Sequence, residues 1–319
     1  MILIRDFHNL RGSHRPSVVS IGNYDGVHLG HLRLISALQD RARQLGVPAT
    51  VMTFEPHPSE FFSPERAPPR LLRWREKMER LACAGVDQVF CLRFNQSFAE
   101  NLAQDFVQRY LVDGLGIRHA VVGDDFRFGR NRAGNTAFLR DMGAKFGFTV
   151  TTVPTCEIAG ERVSSSRIRS AIQRNDFALA ERLLGYPYTI SGRVVHGDER
   201  GRTIGFPTAN IILRHDNLPV WGVYAVTVSR AAGQCLPAVA NIGVRPTIGG
   251  DRVLLEAHLL NFDSDLYGVR IKVEFKHKIR SEKRFDSVAQ LQAQIARDTE
   301  VAREWLAQMQ PIAREQVGG

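Results

Sequence analysis

The chain has 319 residues, of which 44% are hydrophobic and 24% are charged, and its formal net charge is +9 at pH 7. This composition leaves room for two hydrophobic cores and excludes a disordered or fibrous chain. No apolar run approaches the roughly 20 residues that span a bilayer, and the first residues lack the basic flank and apolar core of a signal peptide. We therefore expect a cytoplasmic protein.

The positive charge suits either nucleic acid or a substrate that carries several phosphates. Basic residues are spread along the chain, without a helix-turn-helix, RNP or zinc-finger pattern. Four cysteines, Cys83, Cys91, Cys156 and Cys235, lack the Cys-x-x-Cys spacing of zinc sites. We expect neither a disulfide framework nor nucleic acid as the primary partner.

In the first half of the chain, short β-rich runs alternate with amphipathic stretches. The pattern predicts strands over 17–21, 49–54, 88–92, 119–123 and 148–153, and helices over 29–45, 101–111, 165–173 and 177–184. Alternation of this kind is typical of a parallel sheet with crossover helices. We therefore predict an α/β domain over residues 1–186.

After Tyr186 the chain changes to short β-rich runs separated by Gly, Pro, Asn and Asp. These runs predict strands over 188–195, 222–229, 253–260 and 269–275. From Ser287 onward, apolar residues recur near helical spacing. The second domain, over 187–319, is therefore predicted to be an antiparallel barrel or sandwich with a C-terminal helix.

The first motif is GNYDGVHLGH at residues 22–31, placed directly after a predicted strand and at the start of a helix. Helix N-termini offer unpaired amides and a positive dipole to phosphates. His28 and His31, three apart, can face one side of the first turn, and Gly30 lets the backbone approach a triphosphate. The alternative is a strand-to-helix turn with two incidental histidines.

A second motif, VSSSRIR at residues 163–169, precedes another predicted helix. Alone, it is typical of an N-cap cluster with a solvated arginine. Paired with the first motif, it resembles the Ser/Thr-rich element of the HxGH nucleotidyltransferases. The resemblance implies that Ser164, Ser165, Ser166 and Arg169 complete the phosphate site.

Two further segments, TFEPHP at 53–58 and GDDFRFG at 123–129, narrow the resemblance. They are similar to loops of the bacterial bifunctional riboflavin kinase/FAD synthetases, where such loops are associated with flavin and nucleotide. A flat aromatic ligand needs stacking surface. The resemblance implies five flavin-binding residues, namely Phe54, Pro56, Pro58, Asp125 and Phe128. For Phe54 and Phe128, core packing is the alternative.

In the second half, residues 192–210 resemble the riboflavin kinase phosphate loop with its PTAN element. Glycines such as Gly201 and Gly205 let a loop fold over phosphates. Thr208 and Asn210 carry oxygen atoms suited to Mg²⁺ that bridges ATP phosphates. The four PTAN residues alone would equally be a β-turn.

Glu256 lies on a predicted strand in LLEAHLLNF, at 254–262, and matches the catalytic glutamate of this family. A base near the acceptor hydroxyl assists a kinase, and strand alternation places His258 on the same face. A lone strand glutamate is usually solvated, so this assignment depends on the resemblance.

The resemblance extends from Gly22 to Phe285 and identifies the chain as a member of that bifunctional family. It implies a Rossmann-like HxGH nucleotidyltransferase domain, followed by an antiparallel β-barrel riboflavin kinase domain with a C-terminal helix. The expected substrates are riboflavin, FMN and ATP, with Mg²⁺ as cofactor and FAD as final product. Tyr24, Asp125 and Ser166 depart from the usual residues of the family's motifs.

The resemblance assigns the site residues to three roles. The catalytic residues are expected to be Glu256, His28, His31 and Arg169. Phosphate binding is expected of Gly22, Asp25, Gly30, Ser164, Ser165, Ser166, Gly201, Gly205 and Asn210. Two alternatives remain open: a single-activity riboflavin kinase with an inactive N-terminal domain, and a nucleic-acid-binding regulator.

Overall fold

Strands and helices alternate through the first half of the chain, as the sequence predicts. The computed structural model describes residues 1–196, 206–213, 217–230, 235–247, 250–262 and 264–308. Among these, no helix is both long and apolar enough to cross a membrane.

A six-stranded sheet organises the first half. Its strands are β1 (Ile2–Arg5), β2 (Ser17–Ile21), β3 (Ala49–Glu55), β4 (Gln88–Arg93), β5 (Ile117–Gly123) and β6 (Thr149–Val153). Their order is β1-β4-β3-β2-β5-β6, and every neighbouring pair is parallel. Parallel pairs need long crossovers, which helices supply. The predicted parallel α/β domain is confirmed.

Helices form most of the crossovers. The helices of this half are α1 (Leu29–Leu45), α2 (Pro58–Phe62), α3 (Trp74–Cys83), α4 (Gln96–Ala99), α5 (Ala103–Phe106) and α6 (Thr136–Phe146), followed after the last parallel strand by α7 (Ser165–Gln173) and α8 (Phe177–Leu184). A π-helical segment, Val107–Gly114, continues α5. A two-stranded hairpin, β7 (Glu157–Ile158) with β8 (Glu161–Arg162), precedes α7.

Both faces of the parallel sheet are buried. Val18 packs with α1 and α3 on one face, whereas its neighbour Val19 packs with α6 and the π-helical segment on the other. Successive strand residues point to opposite faces, so a doubly covered strand is apolar throughout. This explains the continuous burial of β2.

The strand order reverses between β2 and β5, which are neighbours at the centre of the sheet. In open α/β sheets, ligands bind beyond the carboxyl ends of the strands at such a switch point. The loop after β2 begins at Gly22 and the loop after β5 at Asp124, so both predicted motifs start at this edge.

The second half of the chain forms an antiparallel sheet. Its strands are β9 (Thr189–Arg193), β10 (Ala209–Leu213), β11 (Gly222–Arg230), β12 (Leu236–Thr247), β13 (Gly250–Leu259) and β14 (Arg270–Arg280), in the order β10-β13-β12-β11-β14-β9. A bridge between Val195 and Asn210 connects the two edges. The sheet is therefore a nearly closed barrel, which confirms the barrel prediction.

The C-terminal helix α9 (Val288–Gln308) packs on the outer face of this barrel. Ala302 belongs to one buried apolar cluster with Val223, Ala225 and Val239. The guanidinium of Arg280 on β14 donates to both carboxylate oxygens of the buried Asp298 at 2.8–3.0 Å. Such a bidentate pair fixes the helix in both position and orientation.

The contacts divide the chain into two compact units. Unit 1 comprises 1–168 and 183–185, and unit 2 comprises 169–182 and 186–319. Unit 2 therefore includes the C-terminal half of α7 and most of α8. The domain boundary near Tyr186 stays a prediction.

Candidate functional site

The loop after β2 leads directly into α1, and His28 caps that helix. Its Nδ1 accepts a hydrogen bond from the backbone N–H of His31 at 3.3 Å. The two imidazole rings are stacked, with centroids 3.7 Å apart and planes 16° from parallel. A Cβ at Gly30 would lie only 3.1 Å from the His28 ring, so glycine fits this turn tightly. His28, Gly30 and His31, which the sequence analysis assigned to one phosphate site, therefore lie next to one another in this turn.

Asp25 anchors the same loop from within. It is buried, and its carboxylate accepts hydrogen bonds from the backbone N–H groups of Leu71 at 3.0 Å and Leu72 at 3.2 Å. Ser165 at the start of α7 donates its hydroxyl to the Asp25 carbonyl at 2.8 Å. These contacts give Asp25 a structural role, while its predicted contact with phosphate stays a prediction.

Lys77, which the sequence analysis did not single out, lies beneath this loop. The lysine is 3% exposed, and its ammonium donates to the carbonyl of Asn23 at 3.1 Å. Thr53 at the end of β3 donates to the same carbonyl at 3.3 Å. Lysine is rarely buried unless its ammonium group has a hydrogen-bond or charged partner. The spacing of Lys77 and Leu81 on one face of α3 is the sequence signal that could have indicated its burial.

The environment keeps His31 neutral. Burial, then the charges of His28 and Lys77, hold the pKa of His31 well below its ordinary value. Burial also lowers the pKa of Lys77, although the carboxylates of Asp25 and Glu55 oppose that shift. His31 Nδ1 is buried without a hydrogen-bond partner. The site therefore presents an unprotonated imidazole at neutral pH.

The Ser/Arg motif occupies the start of α7. Ser164 accepts a hydrogen bond from the Arg167 backbone N–H at 3.2 Å, as an N-cap residue does. Ser166 is exposed, whereas Arg169, one turn after Ser165, is 8% exposed. The expectation of a merely solvated arginine therefore does not hold for Arg169. Arg167 instead holds the β7–β8 hairpin through the carbonyls of Ile158 and Glu161.

An arginine clamp shapes the TFEPHP loop after β3. Arg70 donates to Glu55 at 2.7 Å and to Glu60 on α2. Pro56, between them in sequence, is exposed, and Pro58 begins α2. Because both carboxylates share one guanidinium, the loop is held rigidly at the sheet edge.

Aromatic rings extend from this loop across the unit. Phe54 contacts Phe98 with centroids 5.4 Å apart, and Phe98 contacts Phe106. Phe106 in turn contacts Phe128, at 5.5 Å. The first and last rings of this series, Phe54 and Phe128, are the two aromatic residues among the five predicted flavin contacts. Phe128 is buried in the core, as its alternative assignment states, whereas Phe54 is only partly buried.

Phe62, which the sequence analysis did not select, is 65% exposed at the end of α2. Its ring contacts Phe61 and Phe94 edge-on, at 5.3 and 5.5 Å. A large exposed ring supported by two others is a ready stacking surface.

Asp125 follows β5 and forms an exposed ion pair with Arg162 of the β7–β8 hairpin, at 2.5 Å. Its neighbour Asp124 accepts hydrogen bonds from the backbone N–H and hydroxyl of Thr155, both at 2.9 Å. The backbone hydrogen bond is the main cause that lowers the pKa of Asp124. The two carboxylates therefore fasten the loop after β5 to the chain after β6.

In the barrel, three polar residues share one row across three strands. Asn210 on β10 is paired with Glu256 on β13, and Glu256 is paired with Asn241 on β12. Directly paired residues point to the same face with Cβ atoms about 5 Å apart. We call Asn210, Glu256 and Asn241 the polar row.

The polar row lies on the outer face of the barrel. The neighbours of Glu256 in sequence, Leu255 and Ala257, are fully buried on the inner face. The side-chain Oδ1 atoms of Asn210 and Asn241 are both buried without a hydrogen-bond partner. Buried acceptors are rarely unpaired in a native structure, so these two atoms are candidates to accept a hydrogen bond from a ligand or an ordered water.

The start of the PTAN element contacts His258, which lies two residues after Glu256 on β13. The Nδ1 of His258 lies 2.9 Å from the Pro207 carbonyl, and the ring contacts Phe206 at 5.3 Å. Ala209 then begins the pairing of β10 with β13, and Asn210 pairs with Glu256. The β-turn alternative is therefore wrong, because Ala209 and Asn210 are strand residues. Gly201 and Gly205 lie outside the described residues.

A cleft of about 740 Å³ opens beside the polar row, between His258 and α9. Phe206 and His258 line one side, and Arg297, Thr299 and Glu300 line the other. The Thr299 hydroxyl is buried without a hydrogen-bond partner. The cleft thus offers an aromatic ring and charges of both signs, and an unpaired hydroxyl is buried in its wall.

The described residues contain no cluster of three His, Cys, Asp or Glu side chains suited to a metal. Mg²⁺ bound to a nucleotide needs only one or two protein oxygens, since phosphates and waters complete its octahedron. The unpaired, buried Oδ1 of Asn210 is a suitable oxygen ligand. The residues present therefore fit a magnesium ion that arrives with its nucleotide.

These features define a transferase that handles nucleotides in two separate units: a switch-point phosphate site in a parallel α/β sheet, and a polar site on a β-barrel. Comparison with family models matches one nucleotide-handling family to each half of the chain. The FAD synthetase family matches residues 10–167, and the riboflavin kinase family matches residues 184–306.

The chain belongs to the family of bifunctional riboflavin kinase/FMN adenylyltransferases. The relative of that name from Escherichia coli K12 is 50% identical over 98% of this chain and 100% of its own length. The relative from Pseudomonas fluorescens is also 50% identical, over 95% of this chain and 97% of its own. A crystal structure of a Streptococcus pneumoniae protein, named a macrolide-efflux protein, is 34% identical, covers 96% of this chain and 100% of its own, and has a TM-score of 0.78.

Proposed function

We propose that the two activities in the family's name are divided between the two units. Unit 2 phosphorylates riboflavin with ATP to give FMN, and unit 1 joins FMN to the adenylyl group of a second ATP to give FAD and pyrophosphate. The division rests on one observation: each unit carries, at a predicted motif, a buried polar atom without a hydrogen-bond partner, His31 Nδ1 in unit 1 and Asn210 Oδ1 in unit 2.

In the kinase step, Glu256 accepts the proton of the ribityl 5′-hydroxyl while that oxygen attacks the γ-phosphorus of ATP. The bond from the γ-phosphorus to the bridging oxygen breaks, and ADP leaves. Glu256 is partly buried at the centre of the polar row, one strand away from the PTAN strand β10. A positioned base of this kind typically contributes about 10²- to 10⁴-fold.

Thr208 and Asn210 are the residues that would hold magnesium with the ATP phosphates. When bound, the ion neutralises phosphate charge, which is a major requirement of phosphoryl transfer. Thr208 directly precedes β10 and Asn210 lies within it, so the strand fixes both relative to Glu256.

We assign the cleft beside α9 to the isoalloxazine ring of riboflavin. Phe206 and His258 provide apolar and aromatic surface, and the unpaired Thr299 hydroxyl can meet a polar atom of the ring. Because His258 is two residues from Glu256 on β13, a ring in the cleft places its ribityl chain near the base.

In the adenylyl step, a phosphate oxygen of FMN attacks the α-phosphorus of ATP, and pyrophosphate leaves. No protein nucleophile is needed, because positioning and charge neutralisation supply most of the catalysis. The Nδ1 of His28 accepts a hydrogen bond from the backbone N–H of His31, so Nε2 is the ring atom left to donate to phosphate. His31, Ser164 and Ser165 are the further proposed phosphate contacts in unit 1, and Gly22 and Gly30 leave room for the nucleotide. Arg169, which the resemblance assigns to the same role, is the first residue of unit 2, and its contact with phosphate stays a prediction.

In unit 1, we assign the flavin ring to the aromatic surface at the TFEPHP loop. Phe54, Pro56 and Pro58 were predicted there, and the exposed ring of Phe62 adds stacking area. Phe128 supports this surface from the core, and Asp125 keeps its proposed place at the loop after β5. A domain boundary near Tyr186 and a cytoplasmic location remain proposals.

The first experiment is a time course with purified full-length protein, riboflavin, ATP and Mg²⁺, in which the three flavins are separated by chromatography. We expect FMN to appear first and FAD to follow. FMN without FAD would support the single-activity kinase instead. If neither forms, and the protein shifts nucleic acid in a gel at moderate salt, the regulator alternative replaces this proposal.

A further inference from the structure

Asn241 is the member of the polar row to which the sequence analysis gave no role. It is paired with Glu256 on one side and with Val223 of β11 on the other. Its side-chain oxygen is buried without a hydrogen-bond partner, as is that of Asn210. Two of the five such atoms among the described residues therefore flank Glu256 symmetrically.

We propose that Asn241 binds the polyol chain of riboflavin, its Oδ1 accepting a hydrogen bond from a ribityl hydroxyl next to the one that is phosphorylated. This inference rests on the proposed kinase function of unit 2. It makes Asn241 a specificity-determining residue for the alcohol substrate and separates its role from that of Asn210.

The order of the strands indicates different roles for Asn210 and Asn241. Asn210 is on the PTAN strand, which we assign to magnesium and the ATP phosphates, and Glu256 is on the next strand. In-line transfer requires the acceptor oxygen to lie between the donor phosphate and the rest of the acceptor molecule. Asn241, one strand beyond Glu256, therefore lies on the acceptor side.

The chemistry of the side chain agrees with this position. A ribityl chain carries several hydroxyl groups, each of which can donate one hydrogen bond. The unpaired atom of Asn241 is an acceptor, so it matches a hydroxyl donor. A phosphate oxygen, which only accepts, would gain nothing from it.

The surroundings leave a path from Asn241 to the proposed ring cleft. Val239, two residues earlier on β12, is paired with His258 and packs under α9. Residues two apart on a strand share a face. Asn241 and Glu256 therefore lie directly beside Val239 and His258, and a ligand with its ring against His258 extends its chain over them.

The test compares steady-state riboflavin phosphorylation by the full chain and by Asn241→Ala. Loss of one hydrogen bond between neutral groups should raise the KM for riboflavin about threefold to tenfold. The KM for ATP and the Mg²⁺ requirement should not change. Lumiflavin, which has a methyl group in place of the ribityl chain, should inhibit both proteins with the same inhibition constant. Asn241→Ser, which keeps an acceptor oxygen, should have a smaller effect than Asn241→Ala.

Ser229→Ala, a polar residue on β11 away from the row, is the matched control and should leave all constants unchanged. An unchanged riboflavin KM in both Asn241 variants overturns the inference. So does a lumiflavin inhibition constant that rises as much as the KM, which would indicate damage to the ring cleft. A higher Mg²⁺ requirement without a change in the riboflavin KM would overturn the inference and indicate that Asn241 acts in the magnesium site. If the wild-type chain makes no FMN, the proposed function itself fails.

Discussion

The two units build their sites in different ways. In unit 1 the site is assembled from loops and a helix start, at the switch point of a parallel sheet, and its backbone is held by side chains from other elements such as Lys77 and Ser165. In unit 2 the polar row lies on the strands themselves, and the hydrogen-bond register of β10, β13 and β12 sets its spacing.

This difference predicts that the two sites respond differently to single substitutions. A row on paired strands is fixed by many backbone hydrogen bonds, so a single substitution removes one function and leaves the geometry of the others. A loop site depends on a few specific contacts, and a displacement of about 1 Å can cost on the order of 10²-fold in rate. Because the two activities share one chain, each serves as the folding control for the other.

The largest effect is expected from Glu256→Gln. The amide has nearly the same shape but cannot accept the hydroxyl proton, so riboflavin phosphorylation should fall by about 10²- to 10⁴-fold. FAD formation from supplied FMN should keep its wild-type rate. The two rates are measured separately by chromatography, and retained kinase activity would remove Glu256 from the role of base.

His28→Ala should produce the reciprocal result. It removes the N-cap acceptor of α1 and a donor toward phosphate, and loss of one such preorganised donor typically costs about 10²- to 10³-fold. We expect this loss in FAD synthesis from FMN and ATP, with FMN formation from riboflavin unchanged. An equal loss of both activities would contradict the division of labour between the units.

Gly30→Ala probes how tightly the loop site is built. The new methyl group would meet the His28 ring at 3.1 Å, so the ring must move by a few tenths of an ångström. A displacement of that size should slow FAD synthesis about threefold to tenfold. Gly12→Ala is the matched control, since no atom lies within 4 Å of its added methyl. An unchanged rate in Gly30→Ala would show that the His28 ring position is not critical.

Lys77→Met should have the smallest effect at neutral pH, because Thr53 still donates to the Asn23 carbonyl, and a larger effect in acid. The Lys77 charge helps to keep the pKa of His31 low, so its removal raises that pKa. His31 is then protonated at a higher pH, and the acidic limb of the FAD synthesis profile should move upward. The acidic limb of riboflavin phosphorylation should not move. Coincident profiles for variant and wild type would refute control of His31 by Lys77.

Much of unit 1 could be predicted because its local signals agree. Helix α1 begins at a capping histidine and ends at Gly46, which is in the left-handed conformation that glycine favours. Its predicted and observed ranges coincide, as do those of β2. By contrast, residues 101–111 were predicted as one helix, whereas the chain forms α5 followed by the π-helical segment. Packing of Tyr110 and Leu111 into the core accompanies that wider turn.

Helix α3 and strand β12 were harder to predict from their local sequence. Residues 70–75 form a basic cluster in the sequence, yet Trp74 begins α3 and brings Lys77 into the core. Strand β12 includes Gly243 and Pro246, which are poor strand formers, and no strand was predicted there. Its pairing with β11 and β13 over most of its length outweighs that local preference.

The sequence by itself determined the two fold types, their order along the chain and the motif residues, because periodicity, capping and short motifs are encoded locally. Only the tertiary structure decided which side chains meet. The burial of Lys77 beneath the Asn23 carbonyl and the alignment of Asn241 with Glu256 both join residues distant in sequence. Such contacts depend on strand register and on packing between elements, and the free energy of those long-range contacts is not encoded in any local stretch of the chain.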